Sequence, residues 1–289
     1  MKLLPEDEDR LRRARVGKGE APLLRRQDHA APSIFRPENL LREARRQKGL
    51  APAPVAPVCV LDPDGDIVDY VRAHCGAKPS AHWACYHTRM WEWTEADQRY
   101  AIVGHAVGSS FSVLVAEQLF ASGCGLLVSV ASAGQITDVG EPPYHVLIER
   151  ALRDEGTSYH YLPAASHAEA DRSLFALAAD CFRRSNLPVL AGVTWTTDAP
   201  FRETAETVRA RRDEGILAVE MEAAALYAFA AARGASVICL AHVSNRLGCI
   251  EGDFDKGDCN GARTSIELIA ALAATWAGAA SGGAISPRP

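Results

Sequence analysis

The chain has 289 residues, with 31 Lys and Arg against 36 Asp and Glu and a formal net charge of −5. That length permits one large domain or two small ones, and the even hydrophobic content favours one. The mild negative charge argues against nucleic-acid binding, which calls for a basic face, and leaves small molecules as the expected partners.

The first fifteen positions mix Glu6, Asp7, Glu8 and Asp9 with Arg10, Arg12, Arg13 and Arg15, and carry no long apolar run. This is not the pattern of a signal peptide, and no segment has the apolar length of a membrane span, so a cytoplasmic protein is expected. Residues 1–56 are expected to form a flexible arm, poor in large apolar side chains at its start. Within it Pro37 to about Lys48 reads as a short basic helix, followed by a stiff Pro-rich linker. The compact domain is placed at 57–278 and a flexible tail at 279–289. Eight cysteines, at 59, 75, 85, 124, 181, 239, 249 and 259, form no CxxC pair and no Cys/His cluster. Neither a metal site nor a disulfide framework is supported.

Val58–Leu61 reads as a buried strand ending in an Asp-Pro-Asp-Gly turn, and Tyr100–Gly104 repeats the pattern. Ser109–Ala121 reads as a helix capped by Ser109 or Ser110, with Phe111, Leu114, Val115 and Leu119 on one side and Gly123 as stop. Leu126–Val130 follows as a strand. Strand, helix, strand in this order requires a crossover and implies parallel pairing. The alternation continues with an apolar run at His145–Ile148, a helix from Asp171 to Arg184, a strand at Val189–Thr194, and a helix from Glu220 to about Arg233 stopped by Gly234. Val237–Val243 is then a strongly apolar strand that delivers Ser244, Asn245 and Arg246 at its carboxyl end, where ligands bind in open α/β sheets.

The most informative stretch is Val219-Glu220-Met221-Glu222, two acids around a methionine at a helix start. Residues two apart on a helix do not face each other, so the two acids are expected to serve different partners, one the scaffold and one a polar ligand.

Taken together, several motifs resemble the nucleoside phosphorylase superfamily, in its uridine phosphorylase and hexameric purine nucleoside phosphorylase branch. They are Gly104-His105-Ala106-Val107-Gly108, Ser132-Ala133-Gly134-Gln135-Ile136, Val139-Gly140-Glu141, and the run Arg153-Asp154-Glu155-Gly156-Thr157-Ser158-Tyr159-His160-Tyr161. Thr196-Thr197-Asp198, Val219-Glu220-Met221-Glu222 and Val243-Ser244-Asn245-Arg246 complete the set, in order, over roughly residues 57 to 275. The resemblance implies a three-layer α/β/α sandwich with a central mixed sheet, assembled as a homo-oligomer built from dimers. It implies a pentosyltransferase of nucleoside catabolism or salvage that cleaves the N-glycosidic bond of a nucleoside, with no cofactor and with phosphate as co-substrate.

By the same resemblance Glu222 holds the ribose hydroxyls and Met221 packs on the sugar, with Glu220, Thr197 and Gly134 completing the substrate site. A carboxylate can accept two hydroxyl hydrogens at once. Asn245 orients the base without delivering a proton, and Arg246 neutralises charge on the departing base or is a surface residue. His105 supplies a donor or base, or is structural. Phe201 or Trp195 stacks on the base, or belongs to the core, and Arg202 reaches its polar edge.

The phosphate site departs from the family pattern. The usual Gly-Asp-Pro-x-Arg turn is replaced by Leu61-Asp62-Pro63-Asp64-Gly65-Asp66, and Ser129 stands where a second arginine precedes the glycine motif. Phosphate is bound by arginine forks and backbone donors, and Asp62, Asp64 and Asp66 repel it. Arg89, reaching across a subunit interface, and Ser132 are the remaining candidates for holding phosphate or the nucleophile. His29 is the candidate for the histidine that relatives donate from a neighbouring subunit. The missing arginines open a second reading, hydrolysis by water, and a third reading is a non-catalytic nucleoside-binding member.

Overall fold

The computed structural model describes residues 22–24, 28–248 and 251–281. The expected flexible positions 1–21 and 282–289 lie outside them. The strands in chain order are β1 (Val58–Asp62), β2 (Lys78–Pro79), β3 (Met90–Glu95), β4 (Gln98–Gly104) and β5 (Leu126–Gln135). They continue with β6 (Tyr144–Asp154), β7 (His167–Glu169), β8 (Val189–Thr197), β9 (Ala218–Glu220) and β10 (Val237–Asn245). The helices are α1 (Pro37–Lys48), α2 (Asp66–His74), α3 (Ser109–Ala121), α4 (Arg172–Arg184), α5 (Ala205–Asp213), α6 (Ala223–Arg233) and α7 (Ala262–Ser281).

All strands join one mixed sheet in the order β10-β6-β8-β9-β5-β1-β4-β3-β2, with β7 on β6. β1 lies parallel to both β4 and β5, as the crossover argument requires. β10 also pairs parallel with β5 while pairing antiparallel with β6. The strands β5, β10, β6, β8 and β9 therefore close on themselves, and β1, β4, β3 and β2 extend from that ring as an open wing. Closure removes a sheet edge and brings the ends of β5, β8, β9 and β10 together.

The period-2 alternation of the strands feeds two cores. Cys59 and Leu61 of β1, Leu127 of β5, and Cys239, Ala241 and Val243 of β10 face Val113, Val115 and Leu119 of α3 and Leu226, Tyr227 and Phe229 of α6. Val58, Val60, Val128, Ile238 and Leu240 face Ile67 and Val71 of α2, Leu174 of α4, and Ile269 and Leu272 of α7. Helices on both faces of the mixed sheet give the three-layer α/β/α sandwich.

Four sequence expectations are corrected. The N-cap of α3 is Gly108, without a side-chain cap bond, and Ser109 is its first residue. On that helix Val113, Val115, Ala116 and Leu119 are buried whereas Leu114 is exposed, because α3 packs against both α1 and α6. The Glu-Met-Glu run does not open a helix: Glu220 ends strand β9, and α6 begins at Ala223. Finally, the segment before Pro57 is packed from α1 onward. Leu41 and Ala44 of α1 are fully buried and pack with Ala84. Lys48 Nζ donates to the carbonyls of Ala84 and Cys85, at 2.9 and 2.6 Å. Val55 and Ala56 are buried, and Val55 N donates to Ser122 O at 2.9 Å.

Truncating a buried leucine costs about 2–5 kcal/mol. Leu41→Ala is therefore expected to lower unfolding stability by about 2–5 kcal/mol in urea titration, whereas a helix on a loose arm would leave the midpoint unmoved.

Candidate active site

The site is assembled around Glu220 and Glu222. Glu220 is 3% exposed and accepts four hydrogen bonds. Thr194 and Thr196 donate their hydroxyls to Oε1 at 3.2 and 2.5 Å, and the amides of Glu222 and Ala223 donate to Oε2, each at 2.7 Å. Thr194 and Thr196 can both reach because alternate residues of a strand share a face. All of the evident acceptor capacity of Glu220 is thus spent inside the protein, so it is the scaffold acid and not a substrate contact. Burial is the largest cause pushing its pKa up, and the four donors oppose it.

Glu222, also 3% exposed, occupies the N-cap position of α6. Gly108 N donates to Oε1 at 2.7 Å and Met221 N to Oε2 at 3.2 Å. Ser109 Oγ donates to Met221 O at 2.8 Å, so the β4–α3 turn clamps the β9–α6 junction through both residues. Burial first, and then the charge of Glu220, raise the Glu222 pKa to about 8, with Asp64 a smaller cause. Its neutral form carries a hydroxyl hydrogen to donate and oxygens that accept, which suits a vicinal diol.

Register brings the other motifs to this place. Gly134 and Gln135 at the end of β5 pair with Val219 and Ala218 of β9, and Asn245 of β10 sits opposite Gly134. A Cβ on Gly134 would meet Leu247 Cδ2 at 2.3 Å and Asn245 Oδ1 at 3.3 Å, so a side chain there would displace the Leu247 side chain and crowd Asn245. Asn245 is buried; its Nδ2 donates to Ala133 O at 3.4 Å and Ser244 Oγ at 3.3 Å, and its Oδ1 accepts from Leu247 N at 2.9 Å. Arg246 donates from Nε to Gln135 Oε1 at 3.2 Å and pairs with Glu141 at 2.5 Å.

The turn after β1 closes another side. Asp62 is buried, its Oδ2 accepts from Val68 N at 2.9 Å, and burial raises its pKa to about 7. Asp64 Oδ2 accepts from Ser132 N at 3.0 Å, tying the β1 turn to the start of the glycine motif, and Ser132 Oγ is buried without a hydrogen-bond partner. Lys256 Nζ donates to Asp66 at 2.5 Å and stands 3.6 Å from Asp64, while Asn260 Nδ2 donates to Asp66 at 2.9 Å. His105 has φ +63° and an exposed ring resting over Gly65, where a Cβ would meet its Cε1 at 2.2 Å. Its amide donates to Asp62 O at 3.0 Å, so this residue also shapes the turn.

Other sequence-selected residues fall elsewhere or at the rim. Trp195 is 2% exposed, donates from Nε1 to Asp154 at 3.0 Å, and is covered by Arg211, which removes it as a base-stacking residue. Phe201 and Arg202, in a 3-10 turn at Pro200–Arg202, are exposed, Phe201 to 99%. Thr197 is buried, and its Oγ1 accepts from Ala199 N at 3.1 Å. Arg89 is exposed just before β3. His29 lies within 3.1 Å of Tyr159 O of its own chain and lines a cavity of about 1000 Å³ between residues 28–40, α3 and Tyr161. Neither Glu222 nor Asn245 lines that cavity. Lys256 and Thr194 were not singled out by sequence reasoning, and Thr196 entered only within the Thr196-Thr197-Asp198 motif, with no role given to it. The shared strand face of the two threonines was a readable signal, whereas Lys256 in a loop carried none. Among the described residues no group of three or more His, Cys, Asp or Glu could hold a metal ion.

A carboxyl whose folded pKa is about 8 and whose unfolded value is near 4.5 stabilises the fold when protonated. That contribution is complete below about pH 4.5 and is lost as pH rises through about 8. Glu222→Gln, which cannot ionise, is therefore expected to gain stability relative to the parent as pH rises from 5 to 8. Urea titrations of both proteins at three pH values check this, and parallel pH profiles would refute the assignment.

With this geometry in hand, comparison with known proteins is informative. The family model of the phosphorylase superfamily matches residues 57–274. The DeoD-type purine nucleoside phosphorylase of Myxococcus xanthus (strain DK1622) is 29% identical over 152 residues, covering 52% of this chain and 64% of that protein. The DeoD-type enzyme of Bacillus thuringiensis (strain Al Hakam) is 29% identical over 156 residues, covering 53% and 66%. The chain thus spans just under two thirds of the length of these relatives. Among solved structures, a uridine phosphorylase from Vibrio fischeri ES114 complexed with 6-hydroxy-1-naphthoic acid superposes with a TM-score of 0.64 at 20% identity, covering 80% of this chain and 93% of that one. A Helicobacter pylori MTAN mutant with 5'-methylthioadenosine in its active site gives 0.61 at 16% identity, covering 74% and 98%. At those identities the two structures speak for the fold. The family match, which runs over most of the chain, shows that the chain belongs to the phosphorylase superfamily.

Proposed function

We propose that the protein cleaves the N-glycosidic bond of a nucleoside. The observation that carries this reading is the Glu222 carboxyl, fixed by the amides of Gly108 and Met221 while Glu220 takes the scaffold role. In the reaction the C1'–N bond breaks with its electron pair going to the base nitrogen, and the acceptor oxygen bonds to C1'. The ribose hydroxyls engage Glu222, and Met221 lies against the sugar. Asn245, at the end of β10, orients the base. Arg246 offsets charge gathering on it, in competition with its partner Glu141. Phe201 and Arg202, both exposed, are the side chains assigned to meet the base. No cofactor is required.

Two acceptors are in play. Family membership favours phosphate, with ribose 1-phosphate as product. The contact between Asp64 and Ser132 N favours water, because a carboxylate already uses the amide that an inorganic anion would need. No helix among the described residues is long and apolar enough to cross a membrane. The reading places the enzyme in the cytoplasm as a homo-oligomer built from dimers, in which the exposed Arg89 is available to a neighbouring site.

A panel of purine and pyrimidine nucleosides, assayed for free base with and without phosphate, tests the activity; no base release under either condition would overturn it. Hydrogen bonds between neutral groups contribute about 0.5–1.5 kcal/mol each, and two are lost with the Glu222 carboxyl. Glu222→Ala is accordingly expected to lower kcat/KM roughly 10- to 100-fold, and a loss smaller than about threefold would remove Glu222 from the sugar.

A further inference from the structure

We propose that Asp64 is the acceptor-selecting residue of this enzyme: its carboxylate serves as a built-in anion on the Ser132 amide, excludes phosphate and leaves water to attack the sugar. The inference deepens the glycosidic-cleavage reading above and rests on it.

Three observations on the molecule carry it. The Ser132 N–H, at the strand end that also carries Gly134, donates to Asp64 Oδ2 at 3.0 Å, so the backbone donor is occupied. The nearest side-chain cation, Lys256, is committed as well, lying 3.6 Å from Asp64 and 2.5 Å from Asp66. One ammonium against two carboxylates leaves a local charge of about −1, which repels a phosphate dianion. The other cation of the site, Arg246, is held by Glu141 and Gln135. The Ser132 amide, Lys256 and Arg246 are therefore each satisfied by a protein carboxylate or amide oxygen, while the Ser132 hydroxyl is buried without a partner.

Water faces no such barrier. It is neutral and small, and about a third of the Asp64 side chain is open at 32% exposure, so its second oxygen can accept a hydrogen bond from a water. In the resulting step the water oxygen bonds to C1', the C1'–N pair leaves with the base, and the water proton ends on the base. The products are free ribose and free base, with no other reactant consumed.

This arrangement makes Asp64 a specificity determinant rather than a fold requirement. Removing its carboxylate frees the Ser132 amide and leaves Lys256 with Asp66 alone, so the local charge rises from about −1 to about 0 and the same place becomes open to an anion. Asp64→Ser and Asp64→Ala test this in the full-length protein, with circular dichroism melting to establish that each variant folds. Phosphate binding is read first by calorimetry without nucleoside. Then base release and ribose 1-phosphate are measured against phosphate concentration.

The parent is expected to show no phosphate binding and a base-release rate independent of phosphate. Either variant is expected to bind phosphate at least roughly tenfold more tightly than the parent and to form ribose 1-phosphate in its presence. Phosphate binding or ribose 1-phosphate formation by the parent would overturn the proposal, as would two folded variants that gain neither property. Asp64→Glu, which keeps the charge, is expected to stay phosphate-independent. Because calorimetry needs no turnover, a failure of nucleoside cleavage in all proteins would count against the proposed function alone, and a failure to gain phosphate binding against Asp64 alone.

Discussion

The site depends on one buried carboxylate. Glu220 gathers the hydroxyls of Thr194 and Thr196 from β8 and the amides of Glu222 and Ala223 from the start of α6. A buried charge without partners is costly, and each donor without its acceptor carries its own penalty of about 1–3 kcal/mol. The carboxylate therefore forces β8, β9 and α6 into one geometry. That geometry gives Glu222 different partners from Glu220, the amides of Gly108 and Met221. The nearby acid leaves its mark by raising the pKa of Glu222.

Sheet closure does the complementary work. Because β10 pairs with both β5 and β6, the Asn245 end of one strand lies beside the Gly134 end of another, and β9 crosses that same end. Motifs more than a hundred residues apart in the chain become neighbours without any one loop having to carry the whole site. The β1 turn with Asp64 and the loop with Lys256 close another side of the same place.

Much of this was legible in the sequence because its causes are local. The extents of α1 and α3, the start of α4 at Asp171 and the alternation of β1 and β10 follow from helix-start residues, periodicity and glycine stops, although the side-chain cap expected for α3 is absent. Glu220 and Glu222 do take different hydrogen-bond partners, but not for the helical reason read from the sequence, since neither lies within a helix. Glu220 ends a three-residue strand that exists only because β5 and β8 flank it, and periodicity cannot reveal so short an element. Ring closure, the burial of Trp195 and the link from Lys256 to Asp64 and Asp66 are long-range consequences of packing. The packing of α1 onto Ala84 is another, since its basic composition disguised the two small apolar contacts that anchor it.

The central claim is that a nucleoside binds with its sugar on Glu222 and its base beside Asn245. A crystal structure of the protein with a bound nucleoside tests it most directly. The account expects both ribose hydroxyls within hydrogen-bond distance of the Glu222 carboxyl, with Met221 against the sugar and the base next to Asn245. A nucleoside seated instead in the cavity between residues 28–40 and α3, with Glu222 untouched, would contradict it.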